Sequence, residues 1–276
     1  MDVRRIGLGA KRLLREGYAP ADRDAAVRLV RRAVELGVDH IDTAAFYPSV
    51  ADASQGPGGF TSLGVANAII REALEGYAGR VVVATKVGPT DAGLAAPGDL
   101  RSLVEADLRA LGRERLDLVY LRQAGLADVR EHFSVLAALR EEGLVEHLGL
   151  SNVRPEHLDQ ALSVAPVTAL SNRYAPDFGR LNDSLLCRCG DLGIAFVPFF
   201  TLAAEGREVG GVADNAVVTR IAEAHGATPA QVRLAWLLSR GPHVLAIPGT
   251  SSEAHLVENL AAASLKLSVE DLEALG

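Results

Sequence analysis

Three side chains of the types needed to manage a proton occur close to the ends of two apolar runs. Asp42 closes the run Asp39-His40-Ile41-Asp42, Tyr47 follows five residues later, and Lys86 closes Val81-Val82-Val83-Ala84-Thr85-Lys86. A phenol ionises near pH 10, so it yields a proton at neutral pH only where its anion is stabilised. An ammonium within hydrogen-bonding reach does this, and a carboxylate keeps that ammonium charged and aimed. The only lysines are Lys11, Lys86 and Lys266, so one ending an apolar run is no casual surface cation. A lysine so placed can also serve as a Schiff-base nucleophile, which keeps an aldolase reading open.

Such residues meet only if both runs are strands opening at one mouth. Eight apolar segments, at residues 5–10, 39–42, 81–87, 116–122, 147–152, 167–172, 194–199 and 244–249, alternate with stretches of helical spacing. That alternation predicts one (β/α)8 barrel over residues 1–276, with no linker or second domain, and puts the chemistry at strand carboxyl ends. Asp42, Lys86, Arg122, Ser151, Asn152, Ser171, Asn172 and Phe199 all fall there. Asp22 is expected to cap the first helix, Gly37 to stop it, and Pro155 to open a later one. Residues 48–62 form a long irregular stretch read as a lid over the mouth. Its glycines do not lie between a strand and a helix, so it is no nucleotide fingerprint. Near the end, Thr250 or Ser252 is placed to cap a helix whose N-terminus attracts phosphate.

Bulk properties narrow the partners. The net charge is −7 and like charges do not cluster, which argues against nucleic acid or a membrane surface and for a small-molecule substrate. Neither a signal peptide nor an apolar stretch of membrane-spanning length is evident, so the chain is expected to be cytoplasmic. Cys187 and Cys189 stand two apart in a helix-like segment and face apart, so packing is expected rather than a disulfide or a metal site.

On these residues the sequence resembles the aldo-keto reductase family along essentially its whole length. The most specific pieces are Asp42-Thr43-Ala44 with Tyr47, Thr85-Lys86, Gly149-Leu150-Ser151-Asn152, and Ile247-Pro248-Gly249-Thr250 leading to Glu258-Asn259. The resemblance implies carbonyl reduction by NADPH, with Tyr47 protonating the substrate oxygen and Lys86 and Asp42 tuning it. It also implies Ser151 and Asn152 on the nicotinamide amide and Phe199 stacked on its ring; Ser171 stands where many members have a glutamine on that amide, so its contact is expected to be weaker or bridged by water. Phe200, Thr201 and Leu202 would contact the pyrophosphate, and Gly249, Thr250, Ser251, His255, Glu258 and Asn259 would line the adenosine site.

The sequence also departs from the family. Where the family usually has a catalytic histidine, Arg122 stands; it donates hydrogen bonds and adds charge, but does not share a proton at neutral pH. This leaves ordinary reduction open beside altered chemistry: a grip on a substrate carboxylate, enone or imine reduction, or non-redox dehydration or cyclisation in a specialised pathway. Gly249 and His255 replace residues that select for NADPH, so NADH use is open too. The chain ends soon after its last helix, without the long tail many members fold over the substrate, so the expectation is either that the loop from Pro48 to Phe60 closes the pocket or that the mouth is open, which suits a bulky substrate.

Overall fold

A computed structural model of the chain describes residues 2–13, 20–47, 64–177, 180–202 and 215–276. The stretch expected to be a lid, residues 48–62, lies outside them. Strands β1 (Leu8–Gly9), β2 (His40–Asp42) and β3 (Val82–Val87) open the barrel. A small hairpin of β4 (Pro89–Thr90) and β5 (Gly93–Leu94) follows outside it. Then come β6 (Leu116–Arg122), β7 (Val145–Ser151), β8 (Ala169–Ser171) and β9 (Ala195–Phe196). The barrel strands pair in parallel in the order β1-β2-β3-β6-β7-β8-β9.

Residues 244–246 close the ring through single bridges, Phe196 with Val244 and Ile6 with Ala246. A full strand is expected over 244–249. Past Ala246, however, the pairing dwindles to the bond Gly9 N–H donates to Pro248 O (3.1 Å), because a proline has no N–H to return. The segments expected at 167–172 and 194–199 likewise shorten to β8 and β9.

Helices α1 (Pro20–Glu35), α2 (Val65–Leu74), α3 (Leu100–Leu111), α4 (Arg130–Glu141), α5 (Pro155–Leu162) and α6 (Asp183–Asp191) follow the strands in turn. Next come α7 (Ala216–His225), α8 (Pro229–Ser239), α9 (Glu253–Ala261) and α10 (Val269–Leu275). Helix α1 begins at Pro20, so Asp22 lies in its first turn rather than capping it; the fixed φ of proline suits a first helical position. Cys187 is exposed and Cys189 buried on α6, both as free thiols.

Two apolar layers hold these elements. The larger joins the helices to the outside of the sheet. The smaller fills the barrel with Ala84, Leu118, Tyr120, Ala169, Val197 and Leu245. Tyr120 fits because residue 149 is glycine: a Cβ there would stand 2.5 Å from ring atom Cδ1. Its ring forms the floor of the site, with Lys86 Nζ 5.7 Å from the ring centroid.

Candidate active site

Parallel register carries Asp42 and Lys86 to the same end of the barrel, Asp42 pairing with Ala84 two residues before Lys86. The Lys86 ammonium forms an ion pair with Asp42 Oδ1 and donates to Thr43 O (3.1 Å) and the Tyr47 hydroxyl (3.0 Å). The Tyr47 hydroxyl donates to Asp42 Oδ1 at 3.2 Å. Asp42 and Lys86 are both buried, and Asp42 Oδ2 has no hydrogen-bond partner among the described residues.

Behind this trio runs a buried chain of polar groups. The Thr43 hydroxyl donates to Asn67 Oδ1 (2.8 Å), Asn67 Nδ2 to Asp107 Oδ1 (2.8 Å), and the Thr85 hydroxyl to Asp107 Oδ2 (2.6 Å). Thr43 and Thr85 are the chain neighbours of Asp42 and Lys86, so α2 and α3 fix the backbone from which both catalytic candidates project. Sequence reasoning passed over Asn67 and Asp107. A signal existed: Asp107 shares the apolar stripe Val104, Leu108, Leu111 of α3, where an unpaired acid is costly.

Burial raises the Tyr47 phenol well above its usual value, and the Asp42 charge adds to this while the Arg122 charge opposes it. The sequence suggested a phenol loosened by lysine; burial and the Asp42 charge instead shift it toward keeping its proton. Burial lowers the Lys86 ammonium, with Asp42 opposing. Burial also pushes the Asp107 carboxyl up to about 7, against the bonds from Thr85 and Asn67.

Arg122 ends β6 in register with Ser151 of β7. Its Nη1 donates to Ser151 Oγ (3.1 Å), and its guanidinium carbon lies 4.8 Å from the Phe199 ring centroid. Thus the Phe199 ring, expected to stack on a nicotinamide, carries a guanidinium here. Phe199 and Phe200 meet edge to face at 5.0 Å, with Lys11 4.9 Å and Arg173 5.4 Å from the Phe200 ring. Phe200 takes a left-handed backbone, φ 63°, unusual for a residue with a side chain. Burial lowers the Arg122 guanidinium; the neighbouring Tyr47 opposes that, and Arg173 adds to it.

These groups line a cavity of ≈ 540 Å³ that runs from Asp42, Tyr47, Lys86 and Arg122, past Phe199, Phe200, Thr201 and Leu202, to the start of α9. Gly249, Thr250, Ser251, His255, Glu258 and Asn259 form its far wall. Ser252 caps α9, its hydroxyl accepting from His255 N–H, while Thr250 Oγ1 accepts from Ser252 N–H at 3.0 Å.

The sequence model described as the aldo/keto reductase family matches residues 5–276. The chain belongs to the aldo-keto reductase family. Pyridoxine 4-dehydrogenase of Escherichia coli strain K12 is 39% identical over 290 residues, a match covering 99% of this chain and 94% of that protein. Methylglyoxal reductase YeaE of the same organism is 30% identical, over 94% of this chain and 86% of its own. The crystal structure of an aldo-keto reductase from Klebsiella pneumoniae in complex with NADP and acetate superposes with a TM-score of 0.81 at 30% identity, covering 99% and 90% of the two chains.

For this member of the aldo-keto reductase family, three residues expected at the nicotinamide do not line the cavity. Ser151 Oγ receives Arg122. Asn152, at φ 61°, donates from its side-chain amide to Gln123 O at 3.3 Å, and the Gln123 amide donates back to Asn152 O. Ser171 is buried, its Oγ without a partner among the described residues. Asn172, also expected on the active face, instead ties Val153 and Asn182 together.

Conversely, the cavity includes Lys11 and Arg12, which sequence reasoning left out. The scarcity of lysine could have pointed to Lys11, which follows a strand end directly. Arg12 lies where a side chain at 249 would project: a Cβ on Gly249 would stand 2.9 Å from Arg12 Cγ.

Proposed function

We propose that this chain is an NADPH-dependent reductase of an aldehyde or ketone in a medium-to-large organic substrate. Hydride arrives at the carbonyl carbon and Tyr47 gives its proton to the oxygen. The observation that carries this reading is the Lys86 ammonium at 3.0 Å from the Tyr47 hydroxyl and paired with Asp42. The cavity residues suit a nicotinamide dinucleotide. Phe199 offers a ring, Lys11 and Arg12 positive charge, and the capped N-terminus of α9 a place for phosphate. Phe200 to Leu202 would hold the pyrophosphate; the amide would fall to Ser151, Asn152 and Ser171 only with Arg122 withdrawn from Ser151, since none of the three lines the cavity.

Bound NADPH supplies the hydride. This chain's own residues manage the proton and the charge. Tyr47 enters the reaction protonated, as burial and Asp42 ensure. As the carbonyl oxygen gains negative charge it draws that proton, and the Lys86 and Arg122 cations stabilise the phenolate left behind. Asp42 then keeps Lys86 charged in a buried site. NADH use stays within this proposal, since Gly249 adds no cation for a 2′-phosphate.

The similarity to a pyridoxine 4-dehydrogenase makes pyridoxal the first aldehyde to test. Titration with NADPH and NADH in parallel, followed by NADPH oxidation on adding pyridoxal or methylglyoxal, is expected to show binding and turnover. Absence of cofactor binding would sink the reading. Arg122 on Phe199 favours one second reading, an atypical family enzyme of a specialised biosynthetic pathway in which Arg122 binds substrate and the reaction is enone or imine reduction, or a non-redox dehydration or cyclisation. One NADPH consumed per carbonyl reduced counts against it. We place the enzyme in the cytoplasm, consistent with the absence among described residues of any helix long and apolar enough to cross a membrane.

A further inference from the structure

We propose that the carbonyl substrate carries an anionic group, a carboxylate or a phosphate, and that Arg122 pairs with it. This rests on the reductase reading above and names the class of substrate that reading leaves open.

The cavity holds a cation without an ionic partner among the described residues. The chain is acidic, at −7, yet the cavity wall carries Lys11, Arg12, Lys86 and Arg122 against Asp42 and Glu258. Lys86 is neutralised by Asp42. Lys11 sits on Phe200 and Arg12 over Gly249, toward the end where a dinucleotide would put its phosphates. Arg122 remains at the Tyr47 end, where a reduced nicotinamide is uncharged. Its contacts there are neutral, the Ser151 hydroxyl and the Phe199 ring, and no carboxylate among the described residues forms an ion pair with it. Arg173 adds like charge nearby.

A half-buried guanidinium held, among the described residues, by a hydroxyl and an aromatic ring has donors to offer an anion, and its planar fork matches a carboxylate or phosphate oxygen pair. Charge-assisted bonds of this kind correspond to about a tenfold to hundredfold gain in affinity. The competing use of Arg122 is to hydrogen-bond the carbonyl oxygen itself. That use would help neutral and charged aldehydes alike, so the two separate by experiment.

The test compares aldehydes matched except for charge: 4-carboxybenzaldehyde against its methyl ester, and pyridoxal 5′-phosphate against pyridoxal. Wild-type enzyme is expected to show at least about tenfold higher kcat/KM for the anionic member of one pair, and the pair that responds identifies carboxylate or phosphate. Arg122→Met should lower kcat/KM for that anion at least about tenfold more than for its neutral partner, with Arg122→Lys between. Independently of turnover, calorimetry with NADPH saturating, so that the Lys11 and Arg12 end is filled, should show benzoate or inorganic phosphate binding to the wild type and not to Arg122→Met, with benzamide not binding either. Equal rates within both pairs, equal losses in Arg122→Met, or anion binding that survives that substitution would overturn the proposal. Failure of all four aldehydes to oxidise NADPH while benzoate or phosphate still needs Arg122 would instead fault the reductase reading.

Discussion

Lys86 must remain an ammonium in a buried place, and its ion pair with Asp42 does most to make that tolerable. Lys86→Met would leave Asp42 buried without its counter-charge, a defect of about 3–5 kcal/mol. Chemical denaturation should register that loss, and reductase turnover should fall at least about a hundredfold. Tyr47 gives a second prediction, from pH. Its raised pKa means the acid keeps its proton as pH climbs, so the rate of carbonyl reduction should hold level from neutral into mildly alkaline solution. A falling limb of kcat centred below pH 8 would contradict this.

At this scale much was legible in the sequence: Asp42, Tyr47 and Lys86 converge as their spacing and strand ends imply. What was not legible is where Arg122 points, because a long side chain's resting place depends on Ser151 and Phe199, which come from other strands. Lys11 and Arg12 escaped for the same reason.

At the scale of elements, the network from Thr43 through Asn67 and Asp107 to Thr85 clamps β2 and β3 to α2 and α3. Burial pushes the Asp107 carboxyl up to about 7 in the fold, well above the ordinary aspartate range. A raised carboxyl pKa contributes stability that is full below the lower value and lost as pH rises through the higher one. Asp107→Asn removes that component, so its Tm should decline less than the wild type's between pH 5 and 8. A parallel decline in both proteins would show that Asp107 does not titrate there. Gly149→Ala should force Tyr120 aside beneath Lys86, costing about 1–3 kcal/mol and slowing turnover. The alternation of strands and helices was plain from apolar periodicity. The cost of Pro248 to the last strand and the start of α1 at Pro20 were not, since both turn on a proline's backbone rather than on hydropathy.

For the whole molecule, an acidic surface surrounds a cavity whose wall is basic. Such a field draws phosphate-bearing ligands inward and weakens as salt shortens its range, from about 10 Å at 0.1 M to 3 Å at 1 M. Raising ionic strength should therefore increase the KM for NADPH while leaving kcat nearly constant; a KM indifferent to salt would mean that Lys11 and Arg12 take no part in cofactor capture. Net charge alone pointed away from nucleic acid and membranes, but it hid this inner reversal, which exists only once the β1 end and the start of α9 face each other across one cavity.

In the proposed reduction everything turns on the Tyr47 phenol being the proton donor. Tyr47→Phe, loaded with saturating NADPH and mixed with aldehyde in a single-turnover experiment, tests it most directly while a cofactor titration runs beside it. The predicted result is an unchanged cofactor Kd with hydride transfer slowed by about 10²-fold or more. Hydride transfer at the wild-type rate in that variant would contradict the claim.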